Sequence, residues 1–259
     1  MRLIPLGTNG FFSGFGRQTA CYAIPHEKIL IILDAGSGLF RLAEPAGKKL
    51  LSGFTKVHLY LSHYHLDHTF GFYAAFKFFK GKKVTVFGSH KRQVFWEFVT
   101  LNHFPVDYAK VHKNFIWKTL TEGTHKIDGY NVAVKKQNHR GEVSLAYRFD
   151  FGLAYVTDGE PTKENIEFVR EVPLLLHEHG FTGEKILKRK NVDIADHLLD
   201  GHVTTVGASI IAKEAKVGKL ALIHHLPYVD IDELKKQLKV AKSIFPKTEL
   251  AYDLQEINF

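Results

Sequence analysis

The sequence predicts an α/β fold: two packed sheets with helices on their outer faces. Three observations predict it. Short apolar runs of strand length alternate with helix-like segments and no linker separates them. Hairpin signals, Asp128-Gly129 and Asp150-Phe151-Gly152, cluster in the middle of the chain. Several strand-like runs end directly in histidine or aspartate, the arrangement of a site built on a rigid scaffold.

Taken in order, the strand-like runs are residues 3–6, 19–24, 29–33, 57–61, 84–87, 114–120, 132–136, 145–149, 153–156, 174–176 and 220–223. Each is apolar or alternating, which suits a pleated, buried surface. Residues 38–43, 73–79, 91–101, 163–169, 204–215 and 231–243 read as helices. With no low-complexity stretch or short-period repeat between them, residues 1–259 are expected to form a single domain.

Composition narrows the class. A chain of 259 residues with 45% hydrophobic content can bury a sizeable core. Cys21 is the one cysteine, so neither an intramolecular disulfide nor a thiolate-rich zinc knuckle can form. The start, Met1-Arg2-Leu3-Ile4-Pro5-Leu6-Gly7, lacks the features of a signal peptide, and no run approaches the ~20 apolar residues of a membrane span. The expectation is a soluble, cytoplasmic protein with no membrane partner. The net charge of +8 is spread over small lysine groups, as on a solvated face. The same charge would attract anionic substrates such as phosphodiesters and weighs against cationic ones.

The most informative stretch is Ser62-His63-Tyr64-His65-Leu66-Asp67-His68. Four potential metal ligands occupy six positions directly after the buried run 57–61. A catalytic metal needs ligands fixed on one side and a coordination position open on the other, and the end of a buried strand supplies both. His63 and His65 alternate with Tyr64 and so point the same way; Asp67 and His68 lie one turn on. His139, Asp158 and His224 each follow a strand-like run, where further ligands would come from.

The pattern His-x-His-x-Asp-His resembles the signature of the metallo-β-lactamase superfamily. The resemblance implies a four-layer αββα sandwich in which two similar halves meet at a binuclear site. It assigns His63, His65 and His139 to one divalent ion, Asp67, His68 and His224 to the other, and Asp158 as the bridge. His224 is preferred over His225 because Leu220, Leu222 and His224 share one phase of the strand. Imidazole and carboxylate suit zinc, with manganese or iron fitting the same ligands. Asp34, in Leu33-Asp34-Ala35-Gly36, resembles the family's supporting acidic turn; it would orient a ligand histidine or cap the next helix. Gly201-His202-Val203-Thr204-Thr205 resembles a segment of the ribonuclease Z and cyclic-nucleotide phosphodiesterase branch, with Val203 in place of the usual serine. There His202 would be an acid near the substrate phosphate; alternatively it only precedes a helix capped by Thr204 or Thr205.

The implied activity is a metal-dependent hydrolase in which a hydroxide between two ions attacks a phosphodiester, with Asp67, Asp158 and His202 as catalytic groups. A thioester, ester or lactone hydrolase is the alternative, and a non-catalytic metal-containing binder is the alternative from another class. Cys21 lies far from any motif, unlike the second-site cysteine of the β-lactamases proper, and His65 replaces the glutamate of the oxygen-reducing branch. Only 18 residues lie between His139 and Asp158, too few for the arm with which ribonuclease Z grips transfer RNA. A small anionic or nucleotide-like substrate is expected, with nucleic acid also admitted; the sequence leaves the oligomeric state open, a homodimer included. Two features stay open as well. Glu178, in His177-Glu178-His179, would contact substrate or support the site, and Phe11, Phe12 and Phe15 would be core or a lid over an aromatic ring.

Overall fold

The computed structural model describes residues 1–89 and 114–259, and the chain forms two compact units. The helix expected over 91–101 lies outside the described residues.

The first unit comprises Met1–Thr121 and Tyr252–Asn258. Its strands are β1 (Arg2–Gly7), β2 (Cys21–His26), β3 (Ile29–Leu33), β4 (Lys56–Tyr60), β5 (Lys83–Gly88), β6 (Phe115–Thr119) and the late strand β16 (Ile257–Asn258). They form one mixed seven-stranded sheet in the order β16-β1-β2-β3-β4-β5-β6. The β16–β3 side is antiparallel and β3 to β6 run parallel. The parallel strands read as continuous apolar runs because both faces are covered; all five residues of β3 are buried. A core of Leu30, Ile32, Leu59, Val84 and Val86 packs with Leu39, Phe72 and Phe79 from the helical segments. Those segments are a 3₁₀ turn at Ser37–Ala43 and helices α1 (Pro45–Ser52), α2 (Leu66–Thr69) and α3 (Phe72–Phe78). Apolar periodicity missed α1, whose start is marked instead by a proline in its first turn.

The second unit comprises Glu122–Ala251 and Phe259. Strands β7 (Gly123–Ile127), β8 (Tyr130–His139), β9 (Glu142–Phe149), β10 (Leu153–Val156), β11 (Leu174–Glu178), β14 (Lys219–Ile223) and β15 (Thr248–Leu250) form a mixed sheet. Their order is β15-β14-β11-β10-β9-β8-β7. The short pair β12 (Leu198–Leu199) and β13 (His202–Val203) stands apart from it. Its helices are α4 (Lys163–Phe168), α5 (Glu184–Leu187), α6 (Thr205–Glu214) and α7 (Ile231–Ile244). The Asp128-Gly129 hairpin joins β7 to β8, and β8 continues past the expected 132–136 through polar residues to His139. Strands β10, β11, β14 and β15 are parallel neighbours, so their C-terminal ends emerge side by side. In open α/β sheets that edge is where ligands bind. Each unit is thus a mixed sheet with helices, in agreement with the expected α/β class. Among the described residues no helix is long and apolar enough to cross a membrane.

Candidate metal centre

In the first unit the chain leaves β4 into Ser62, His63 and His65, and Asp67 and His68 follow in α2. His63 and His68 are buried, at 1% and 0% exposure, and their rings lie 4.2 Å apart; His63 and His65 lie 4.4 Å apart. Asp34 holds this loop from beneath. It is fully buried and follows β3 at φ +55°, a left-handed turn that aspartate tolerates better than most residues. Its carboxylate accepts from the Ser62 N–H at 2.7 Å, the Ser62 hydroxyl at 2.7 Å and His68 Nδ1–H at 2.7 Å. With its proton committed to Asp34, Ser62 Oγ accepts from His63 Nδ1–H at 3.0 Å. Both histidines therefore carry their proton on Nδ1 and present an Nε2 lone pair. Gly36 closes the turn because a Cβ there would lie 2.0 Å from the Asp67 carbonyl oxygen.

The consequence is chemical. His68 Nε2 lies 3.2 Å from Asp67 Oδ2. With the imidazole proton held on Nδ1 by Asp34, these are two lone-pair donors facing each other. Two ligands each about 2.1 Å from one tetrahedral ion stand roughly 3.4 Å apart. The donor set fits a divalent cation.

The second unit gathers Asp158, Glu178, His202 and His224, whose ligand-type atoms all lie within 4.8 Å of one another. Three of the four come from the C-terminal edge of the parallel strands: Asp158 after β10, Glu178 ending β11, and His224 after β14. Asp158 and His224 take left-handed φ values of +48° and +58°, which turn the side chains sharply off the strand ends at a cost of about 1–3 kcal/mol each. Asp158 is 2% exposed and faces His224 Nε2 at 3.4 Å, His202 Nδ1 at 3.6 Å and His139 Nε2 at 3.7 Å. Thr157 Oγ–H donates to Asp158 Oδ2, the oxygen that faces His224, at 2.5 Å. Those imidazole separations exceed hydrogen-bond length, and the shortest matches two ligands of one ion.

His202 lies in β13 and is partly exposed, with Nδ1–H donated to Glu178 Oε2 at 2.7 Å. Burial disfavours its charged form most strongly, but the charge and hydrogen bond of Glu178, helped by Asp158, outweigh burial and Arg140. Its pKa is raised to about 9. Glu178, fully buried, also accepts from the Gly159 N–H at 3.1 Å and so links the Asp158 turn to His202.

Each predicted site residue can now be placed. His63, His65, Asp67 and His68 come together within the first unit, and His139, Asp158, His202 and His224 within the second. His225 turns inward: its Nε2–H donates to the Ala251 carbonyl at 2.8 Å and its Nδ1 pairs with His179 Nε2 at 2.7 Å. His179 is thus tied up away from the site, and the helix after His202 is capped by Thr204, whose hydroxyl accepts from the Gly207 N–H. Asp34 caps no helix; the 3₁₀ turn begins at Gly36 without a side-chain cap. Sequence reasoning passed over the Ser62 hydroxyl, which only its place at the head of the motif could have marked. The Phe11 loop is not core: Phe11, Phe12 and Phe15 are 76%, 47% and 62% exposed.

Solved structures share the fold. The metallo-β-lactamase fold protein YhfI from Bacillus subtilis aligns with a TM-score of 0.74 and 20% identity over 99% of both chains. The chain has the metallo-β-lactamase fold. A diphosphatase of the PhnP family aligns with a TM-score of 0.72 and 15% identity over 100% of this chain and 97% of that one. Human tRNase Z, short form, gives 0.68 and 18% over 100% and 99%. Curated relatives are ribonucleases Z. That of Metallosphaera sedula is 36% identical over 107 residues, 41% of this chain and 32% of the relative. That of Saccharolobus islandicus is 32% identical over 156 residues, 59% of this chain and 48% of the relative. The matches therefore span less than half the length of these relatives. No protein-family profile matches the chain.

Proposed function

We propose that this metallo-β-lactamase-fold chain is a metal-dependent hydrolase of phosphodiester bonds, acting as one domain over residues 1–259. The proposed ligands are those the resemblance implies: His63, His65 and His139 for one ion, Asp67, His68 and His224 for a second, with Asp158 shared. Zinc is the first choice, with manganese or iron compatible with the same donors. The observation that carries the reading is the pair His68 Nε2 and Asp67 Oδ2, two lone-pair donors 3.2 Å apart with the imidazole proton fixed on the far side by buried Asp34. A buried carboxylate behind a histidine is the usual support of a metal ligand.

Divalent ions bound there supply Lewis acidity and make water a nucleophile at neutral pH. The chain's own residues do the rest. Asp67 and Asp158 offset the positive charge, and Asp158 orients the attacking water. Glu178 holds His202 by Nδ1, which leaves its Nε2 edge to protonate the leaving oxygen. The names of relatives and neighbours, ribonuclease Z and a PhnP-family diphosphatase, support a phosphorus ester over a thioester or lactone. A small anionic or nucleotide-like substrate, or a nucleic acid, fits the net charge of +8.

The test is a metal-reconstituted hydrolysis panel of bis-aryl phosphates, cyclic nucleotides, thioesters and lactones, read beside metal content. Phosphodiester turnover should lead, His63→Ala should lose at least one ion per chain, and His224→Ala should lose more metal than His225→Ala. Full metal content in the His63 variant overturns the ligand set. A lead for thioesters or lactones overturns the substrate class.

A further inference from the structure

The loop between β1 and β2 exposes three aromatic rings and yet is firmly braced. Buried Asn9 donates from Nδ2 to the carbonyls of Phe12 and Gly14 at 3.3 and 3.2 Å. Buried Arg17 donates to Asn9 Oδ1 at 2.5 Å, and Gly14 and Arg17 exchange backbone hydrogen bonds of 3.1 and 3.0 Å. The Arg17 guanidinium also lies over the Phe15 ring, 5.5 Å from its centroid. Phe11 and Phe15 sit at φ +61° and +51°, a conformation that bulky residues rarely adopt. Strained backbone and outward aromatics persist together only where the surroundings enforce them. The rings are therefore presented, not frayed.

The loop is also joined to the candidate centre. The Phe11 backbone N–H donates to Asp67 Oδ2 at 2.7 Å, the same oxygen that lies 3.2 Å from His68 Nε2. Phe11 packs edge-to-face on Phe12, with centroids 5.3 Å apart. An exposed aromatic pair thus begins one hydrogen bond from a proposed metal ligand. We infer that Phe11, flanked by Phe12, is a stacking platform for the base of a nucleotide-type phosphodiester whose phosphate lies at the centre. The inference rests on the hydrolase reading. Aromatic faces bind bases with little regard to sequence, and an anionic phosphate with an apolar ring beside it complements a basic chain carrying this loop.

The test compares thymidine 5′-monophosphate with methyl phosphate, which lacks the base, by calorimetric titration of the metal-loaded full-length protein. Wild type should bind the nucleotide at least about 10-fold more tightly. Phe11→Ala should lower that ratio by roughly 5- to 150-fold, the usual worth of one stacked base, and Phe11→Trp should restore it. The ratio isolates the ring, because the N–H that reaches Asp67 belongs to the backbone and survives substitution. Phe11→Leu gives the same readout should the alanine variant fold poorly. Equal affinities in wild type, or an unchanged ratio in the folded variants, overturn the platform. An unchanged ratio together with a shift in sedimentation would assign the loop to self-association instead, and so also overturn it. Turnover of methyl p-nitrophenyl phosphate separates the two readings. Turnover with no base preference refutes the platform alone, whereas base preference without turnover refutes the hydrolase and leaves the platform standing.

Discussion

Asp34→Asn is the most incisive perturbation of the first unit. Three donors converge on this buried carboxylate, from the Ser62 backbone, the Ser62 hydroxyl and His68 Nδ1. Asparagine tolerates the left-handed φ of +55° as well as aspartate does, so the backbone is not perturbed. Its one oxygen can keep the Ser62 N–H, which places the amide N–H₂ against His68. His68 must then accept at Nδ1 and carry its proton on Nε2, the wrong tautomer for a metal ligand. A hydrogen bond to a charged group contributes about 1.5–3 kcal/mol, and one such bond is lost while the others weaken. The metal-free variant should therefore be about 2–3 kcal/mol less stable, a fall of roughly 4–12 °C in Tm for a chain of this size. Zinc affinity should drop about 10- to 100-fold, the usual effect of losing a partner behind a ligand. Thermal unfolding without metal and zinc titration against a competing chelator measure the two effects separately. A variant with lowered Tm but wild-type zinc affinity would refute the tautomer argument, since Asp34 would then support the fold without setting the ligand.

Two further outcomes follow from the second unit. His202→Ala should keep metal content and fold while losing ~10²–10⁴-fold in turnover, most for alkoxide leaving groups and least for nitrophenolate; equal losses across leaving groups would make His202 a substrate-binding residue. His177 in β11 is fully buried, donates Nδ1–H to the Glu178 carbonyl at 2.8 Å, and has a buried Nε2 without a hydrogen-bond partner. Burial lowers its pKa, only partly opposed by Glu178. The unfolded chain then binds this proton more readily than the folded one, so the associated stability is full above the ordinary value of about 6.5 and is lost as pH falls toward the folded value. Chemical denaturation between pH 7 and 5 should show a shallower loss in His177→Leu than in wild type, by up to about 1.4 kcal/mol per pH unit. Parallel pH profiles would refute this, since His177 would then titrate alike in the folded and unfolded states.

Much of this protein was legible in the chain because it depends on neighbours in sequence. Residues 29–33 and 153–156 read as strands and are strands, since a run such as Ile-Leu-Ile-Ile-Leu has few alternatives to burial inside a sheet covered on both faces. His63 to His68 announced themselves because a strand end and one short helical turn fix four side chains within six positions. Periodicity failed where the elements are polar or short. It missed α1, β7, the far half of β8 and the brief strand β15, the last of which is placed by pairing with β14 much earlier in the chain.

What the sequence by itself determined is the class of fold and a set of candidate donors, because both follow from local apolar patterning and from residue chemistry. Only the tertiary structure decided how the donors are used. It turned His225 inward onto His179 and Ala251, aimed His224 at Asp158, tied Glu178 to His202, and placed Asp34 beneath Ser62 and His68. It also kept Phe11, Phe12 and Phe15 out of the core. Each of those outcomes hangs on contacts between segments far apart in the chain. Strand pairing and buried hydrogen bonds settle them, and neither leaves a local signal in the sequence.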